Sequence, residues 1–154
     1  MKLDRIDKRI LEQIQIDSAQ SLVTLADKVG LSKNPCWRRI QRMQEVGIIR
    51  GRVALLDRQA LNLKVVVFMN IRTNQHSAEW LKQFTGAVES IPEIVEFYRM
   101  SGEVDYLLKI VVPDIQSFDK VYKRLINQVE IFEISSHFAM EELKQTTELP
   151  LDYV

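Results

Sequence analysis

The apolar residues of this chain change rhythm part way along, and that change constrains the fold more than any other feature. Up to residue 46 they recur at steps of three and four, the spacing of an amphipathic helix. From residue 65 onward, β-branched and aromatic runs alternate with helical stretches. One period cannot serve both halves, so two modules are expected, and 154 residues suffice for two small ones. A hydrophobic fraction of 46%, with only 5 Gly and 4 Pro, excludes a disordered or low-complexity chain.

Three short helices are expected first. Leu3, Ile6, Ile10 and Ile14 form one stripe, with Asp4 and Asp7 early, where carboxylates favour a helix N-terminus; this helix ends near Asp17-Ser18. Leu22, Leu25, Ala26 and Val29 build a two-turn helix, and Gly30 follows where a left-handed cap residue is wanted. Ser32 is a good N-cap and Pro35 fits a first turn, so a third helix should run from about Lys33 to Val46, ended by Gly47. On its wheel Cys36, Ile40 and Met43 share one narrow sector, while Arg38, Gln41, Arg42 and Glu45 occupy the opposite one. Two helices joined through Val29-Gly30-Leu31-Ser32, the second with a basic outward face, form the helix-turn-helix pattern. Ile48 to Ala54 then reads as a strand or wing bearing Arg50 and Arg52.

Charge separates the modules in the same way. Residues 1–52 hold 11 Lys+Arg against 6 Asp+Glu, and the remainder 10 against 15, so a +5 head precedes a −5 body. A basic head suits a polyanion. The major groove of double-stranded DNA admits a helix, so Ser32, Lys33, Asn34, Pro35 and Trp37 are placed to approach bases or backbone. Arg38, Arg39 and Arg42 are assigned mainly to phosphates, joined by Arg50 and Arg52. Cys36 lies on the packing face and reads as a small buried hydrophobe.

In the second module Val65–Ile71, Ile94–Met100, Tyr106–Val112 and Ile131–Met140 are strand candidates. Ser77–Ser90 and Asp114–Gln128 carry helical stripes. Only Ser101 to Asp105 separates the second and third strands, so these form a hairpin. The order βαββαβ is the ferredoxin-like arrangement, with both helices on one sheet face. The other face is left bare, and a homodimer through it is expected, the alternative being a tail, Lys144–Val154, folded back over the sheet. A two-fold protein also matches two half-sites in successive major grooves.

Taken together, Leu3-Asp4-Arg5-Ile6-Asp7, Val29-Gly30-Leu31-Ser32, Pro35-Cys36-Trp37-Arg38-Arg39-Ile40, Gly47-Ile48-Ile49 and Gly102-Glu103-Val104-Asp105-Tyr106-Leu107-Leu108 resemble the Lrp/AsnC, or feast/famine, family of transcription regulators over nearly the whole chain. One departure is Arg39, where helix-turn-helix proteins often place a packed apolar residue and Ile40 takes that role. The resemblance implies an α+β protein: a winged helix-turn-helix over 1–57, a linker at 58–63, and a ferredoxin-like effector and oligomerisation domain over 64–154. It also implies dimers that assemble to octamers or other higher oligomers, with amino acids as the usual effectors. The family's effector loop maps onto Met100, Ser101, Gly102, Glu103, Val104, Asp105 and Tyr106. A Gly-containing turn offers N–H donors to a carboxylate and Asp105 an acceptor to an ammonium; ordinary turn capping by Asp105 is the plainer alternative. Ser135 and Ser136, with Thr146 and Thr147 in the tail, are secondary candidates.

Two other readings stay open on residues alone. Ferredoxin-like modules also occur as small dimeric enzymes, although no paired carboxylates, phosphate loop or metal spacing stands out, and no enzymatic activity or bound cofactor is expected. The helix-turn-helix is also usable for protein contacts beside a metabolite-binding module. Lacking an apolar stretch of the ~18 residues a bilayer span needs, or a signal-peptide core, the chain is expected in the cytoplasm.

Overall fold

The computed structural model describes residues 2–154. Helix α1 (Arg5–Ile16) begins in a reciprocal capping box: Asp4 accepts from the N–H groups of Ile6 and Asp7, both at 2.8 Å, while the Asp7 carboxylate accepts from the Asp4 N–H. Helix α2 (Leu22–Val29) is capped by the Ser21 hydroxyl and ends at Gly30, whose φ of +75° is a left-handed conformation that side chains with a Cβ resist. There the Leu31 N–H reaches back to the Ala26 carbonyl at 2.9 Å, and Arg9 of α1 caps the Lys28 carbonyl at 2.8 Å. The turn into α3 (Lys33–Glu45) is thereby held from both sides. Ile10, Leu25, Ala26, Val29, Cys36, Ile40 and Met43 are the buried centre of this three-helix unit.

The second unit holds β1 (Val65–Arg72), α4 (Ala78–Glu89), β2 (Ile94–Arg99), β3 (Tyr106–Val112), α5 (Ile115–Gln128) and β4 (Glu133–Phe138). The sheet order is β2-β3-β1-β4 with every neighbouring pair antiparallel, as the ferredoxin-like reading requires. Val67, Met69 and Ile71 of β1 and Leu108, Ile110 and Val112 of β3 share one face with Trp80 and Phe84 of α4 and Val121 and Leu125 of α5. Phe84 is the centre of this core: its ring stacks on Trp80 at 5.0 Å and meets Tyr106 at 5.1 Å and Phe97 edge-on at 5.3 Å. The Trp80 indole N–H is satisfied by the Glu130 carbonyl at 2.9 Å.

Two strand expectations are corrected. Residues 48–54 form no strand, because a strand needs a neighbour for its N–H and C=O groups and their own unit offers only helices; Ile49 alone of the proposed wing packs inward. The compact units are residues 1–55 with Lys144–Val154, and Leu56–Leu143. Leu151 packs on the helical core, and Gln15 holds Leu149 by two hydrogen bonds, 2.7 Å to its N–H and 3.2 Å from its carbonyl. Lastly, β4 is four residues shorter than the run Ile131–Met140, spanning Glu133–Phe138 with one further bond from the Ala139 N–H to the Val66 carbonyl at 2.9 Å.

Replacing Phe84 by Ala removes the ring on which three others rest, and is expected to destabilise the sheet unit by about 3–5 kcal/mol. Urea unfolding followed through the fluorescence of Trp80 measures it.

Candidate nucleic-acid interface and effector loop

Helix α3 is amphipathic in the literal sense: Cys36, Ile40 and Met43 are buried, and Ser32, Lys33, Asn34, Pro35, Trp37, Arg38 and Arg42 are exposed. The Ser32 hydroxyl makes no capping bond, unlike the caps of the other helices, so the first N–H groups of α3 stay open toward solvent at its positive end. Trp37 keeps half of its surface exposed despite being the largest side chain on the helix. Arg50 and Arg52 are exposed on the extended segment that follows. Burial pushes the Cys36 thiol up, with the charge of Arg39 working the other way, so it persists as a neutral packing group.

Arg39 is not where it was expected. On a wheel of about 100° per residue it falls ~40° from Met43, on the flank of the packing face rather than opposite it. Its Nη1 lies 2.6 Å from Asp4 Oδ2 and 2.7 Å from Asp7 Oδ1, and these two hydrogen bonds hold its own pKa up. Arg42 joins the same group through Nη2, 3.0 Å from Asp7 Oδ2, while half of its side chain remains exposed. The Asp4 carboxyl is held below its usual range, chiefly by the N–H of Asp7 and then by Arg39. Asp7, passed over as a helix-start residue, is thus the buried link between α1 and α3. Its signal was present: at about 100° per residue it falls ~20° from Ile14, inside an otherwise apolar stripe.

In the sheet unit Met100–Val104 form the turn between β2 and β3, with Gly102 at φ +107°. The Met100 N–H bonds the Asp105 carbonyl at 2.8 Å, and Asp105 Oδ2 accepts from the Thr73 N–H at 2.8 Å. Asp105 therefore braces the end of β1 through Thr73, a residue of the β1–α4 connection that nothing in the spacing indicated. Among the described residues no hydrogen bond is made to Asp105 Oδ1. Tyr106 is corrected outright: its ring is buried in the aromatic cluster, because the next strand starts there with an inward position. Ser135 and Ser136 cannot line one site. Neighbours on a strand point to opposite faces, and Ser136, opposite Met69, faces the helices, whereas Ser135, opposite Asn70, faces away.

That outer face carries Phe68, Asn70, Tyr98, Leu107, Val111, Ser135 and His137, with two cross-strand ion pairs, Lys109–Glu96 at 2.8 Å and Arg72–Glu133 at 2.7 Å. No helix of the unit covers it. The hydrogen bond from Lys109 holds the Glu96 carboxyl below its ordinary value, burial acting against it and the Tyr98 hydroxyl assisting. A carboxyl whose pKa is depressed by folding contributes stability above its ordinary value of 4.5, lost as pH falls through the lower folded value. Lys109→Met should therefore lose less stability than the parent chain between about pH 5 and pH 3, measured by thermal unfolding across that window.

Comparison with known proteins agrees with both units. The family profile of the AsnC-type helix-turn-helix domain matches residues 3–44, and that of the Lrp/AsnC ligand binding domain matches residues 66–149. A glutamate uptake regulatory protein of Zymomonas mobilis is 45% identical over 150 residues, 97% of this chain and 92% of that protein. The crystal structure of an AsnC family transcriptional regulator from Agrobacterium tumefaciens is 60% identical, with a TM-score of 0.95 over 98% of this chain and 99% of that one. A transcriptional regulator from Neisseria meningitidis, solved as a complex with L-Met, is 31% identical, with a TM-score of 0.93 over 99% of both chains.

Proposed function

The chain belongs to the Lrp/AsnC family of transcriptional regulators and is not an enzyme; from that premise we propose that α3 reads double-stranded DNA under the control of an amino acid bound at the β2–β3 turn. The carrying observation is the two-sidedness of α3: three buried residues fix its inner face while Lys33, Asn34, Trp37 and Arg38 are exposed on the outer one, beside Arg42, which is half exposed and held by Asp7. Lys33 and Arg38, with Arg50 and Arg52 beyond the helix, neutralise phosphates; Ser32 and Pro35 bring the open N–H groups of the helix to the backbone; Asn34 and Trp37 are nearest to base edges. Arg39 has no part in this contact, being committed to Asp4 and Asp7.

For the effector, the exposed turn Ser101-Gly102-Glu103 supplies N–H donors to a carboxylate, and Asp105 Oδ1 receives the ammonium. Met100 and Val104 flank the turn, and Ser135 is the strand residue that faces outward. The uncovered sheet face pairs with that of a second copy, and dimers assemble further toward octamers. A two-fold pair of heads then meets half-sites about 34 Å apart. Action on chromosomal DNA places the protein in the cytoplasm.

A gel-shift titration on DNA from upstream of its own gene, at two salt concentrations and with or without a pool of amino acids, tests the reading. Specific binding that weakens steeply with salt and shifts with the pool is expected. Binding indifferent to sequence and salt would refute the DNA contact. In the same assay Arg38→Ala should lower affinity by about 1–3 kcal/mol and reduce the salt slope by ~1. Asp105→Asn, which keeps an acceptor for the Thr73 N–H but removes the charge, should bind DNA as the parent does and lose the response to the pool.

A further inference from the structure

Among the described residues Asp7 is the one charged or polar side chain with no exposure at all. Removing a carboxylate from water is costly unless its lone pairs are met by donors of opposite charge and good geometry. Asp7 has two, Arg39 Nη1 at 2.7 Å on Oδ1 and Arg42 Nη2 at 3.0 Å on Oδ2, and a neutral third donor, the Asp4 N–H, at 3.2 Å on Oδ2. Both guanidiniums come from α3, Arg39 from the flank of its packing face and Arg42 from its outer face, so the burial of one acid on α1 determines where two of the cations of α3 stand.

The consequences for the two arginines differ. Arg39 is bound at Nη1 by both aspartates and is largely covered, so its charge is cancelled within the unit. Arg42 is held by a single edge and remains half exposed, so its other N–H groups project in a fixed direction. A guanidinium is planar and rigid, and fixing one edge fixes the aim of the rest. An arginine already immobilised loses less rotamer freedom on binding than a free one.

On the reading that α3 contacts DNA, we infer that Asp7 is a positioning residue for sequence discrimination: it withdraws Arg39 from the phosphates and aims Arg42 at the groove. Asp7 serves specificity rather than raw affinity. Without its charge, Arg42 loses its anchor, Arg39 is left with Asp4 alone, and the unit gains one net positive charge, which favours indiscriminate phosphate contacts.

The test is fluorescence anisotropy of the full chain on a duplex carrying its site and on a scrambled duplex, each across a salt series, for the parent and for Asp7→Asn, with circular dichroism to verify folding. The variant is expected to bind the scrambled duplex with a salt slope steeper by ~1 or more, while its ratio of specific to scrambled affinity falls by about tenfold. A folded variant with the parent's slope and ratio would overturn the inference. So would one whose two affinities fall together at unchanged slope, the signature of a merely structural role. Should Asp7→Asn not fold, Arg39→Gln decides: an unchanged salt slope is expected, and a slope reduced by ~1 would overturn the inference by making Arg39 a phosphate ligand. A parent chain that binds both duplexes equally and without salt dependence would fail the DNA-binding reading itself.

Discussion

A carboxylate with no exposure must be built around, and the helical unit is built around Asp7. It serves at once as the third residue of the α1 capping box and as the acceptor for two arginines of α3. The apolar contacts among Ile10, Leu25, Val29, Ile40 and Met43 are non-directional and would tolerate some rotation of α3 about its axis. The charged hydrogen bonds are directional and tolerate little. Packing brings α3 against α1, and the aspartate selects the rotation at which Arg38 faces out and Arg39 does not.

The sheet unit solves a different problem. Its two helices can cover only one face, and the aromatic cluster of Trp80, Phe84, Phe97 and Tyr106 concentrates the burial there. The opposite face is neither wholly polar nor wholly apolar: Phe68, Tyr98, Leu107 and Val111 lie among ion-paired Glu96, Lys109, Arg72 and Glu133. Such a surface fits association with a copy of itself better than permanent exposure, since the pairs fix register while the apolar groups contribute area. The β2–β3 turn lies at one end of that sheet, tied to the end of β1 through Asp105 and Thr73. A ligand that draws on Asp105 thus acts on a residue already part of the loop's own hydrogen bonding.

Most of this fold was legible from periodicity and punctuation. All nine elements fall where the apolar spacing and Gly30 indicated, because each helix or strand carries its own stripe or alternation locally. What was not legible depends on partners distant in sequence. The wing expectation at 48–54 treated a β-favourable composition as sufficient, yet strands exist only in pairs. Arg39 read as a surface cation because its neighbours do, although its angular position beside Met43 already argued against it. Tyr106 and Ser136 were grouped with a site by proximity along the chain, whereas the alternation of strand residues turns them toward the core side. The tail carries no periodic pattern, and only folding brings Leu149 to Gln15.

On the proposed reading α3 meets DNA through Arg38 and Arg42 while Arg39 remains within the protein. The guanidinium Nε–H signals in a proton–nitrogen NMR spectrum, assigned by single substitutions and followed as duplex is added, address it directly. The signals of Arg38 and Arg42 are expected to move and that of Arg39 to stay in place; movement of Arg39 as large as that of Arg38 would contradict this division of roles.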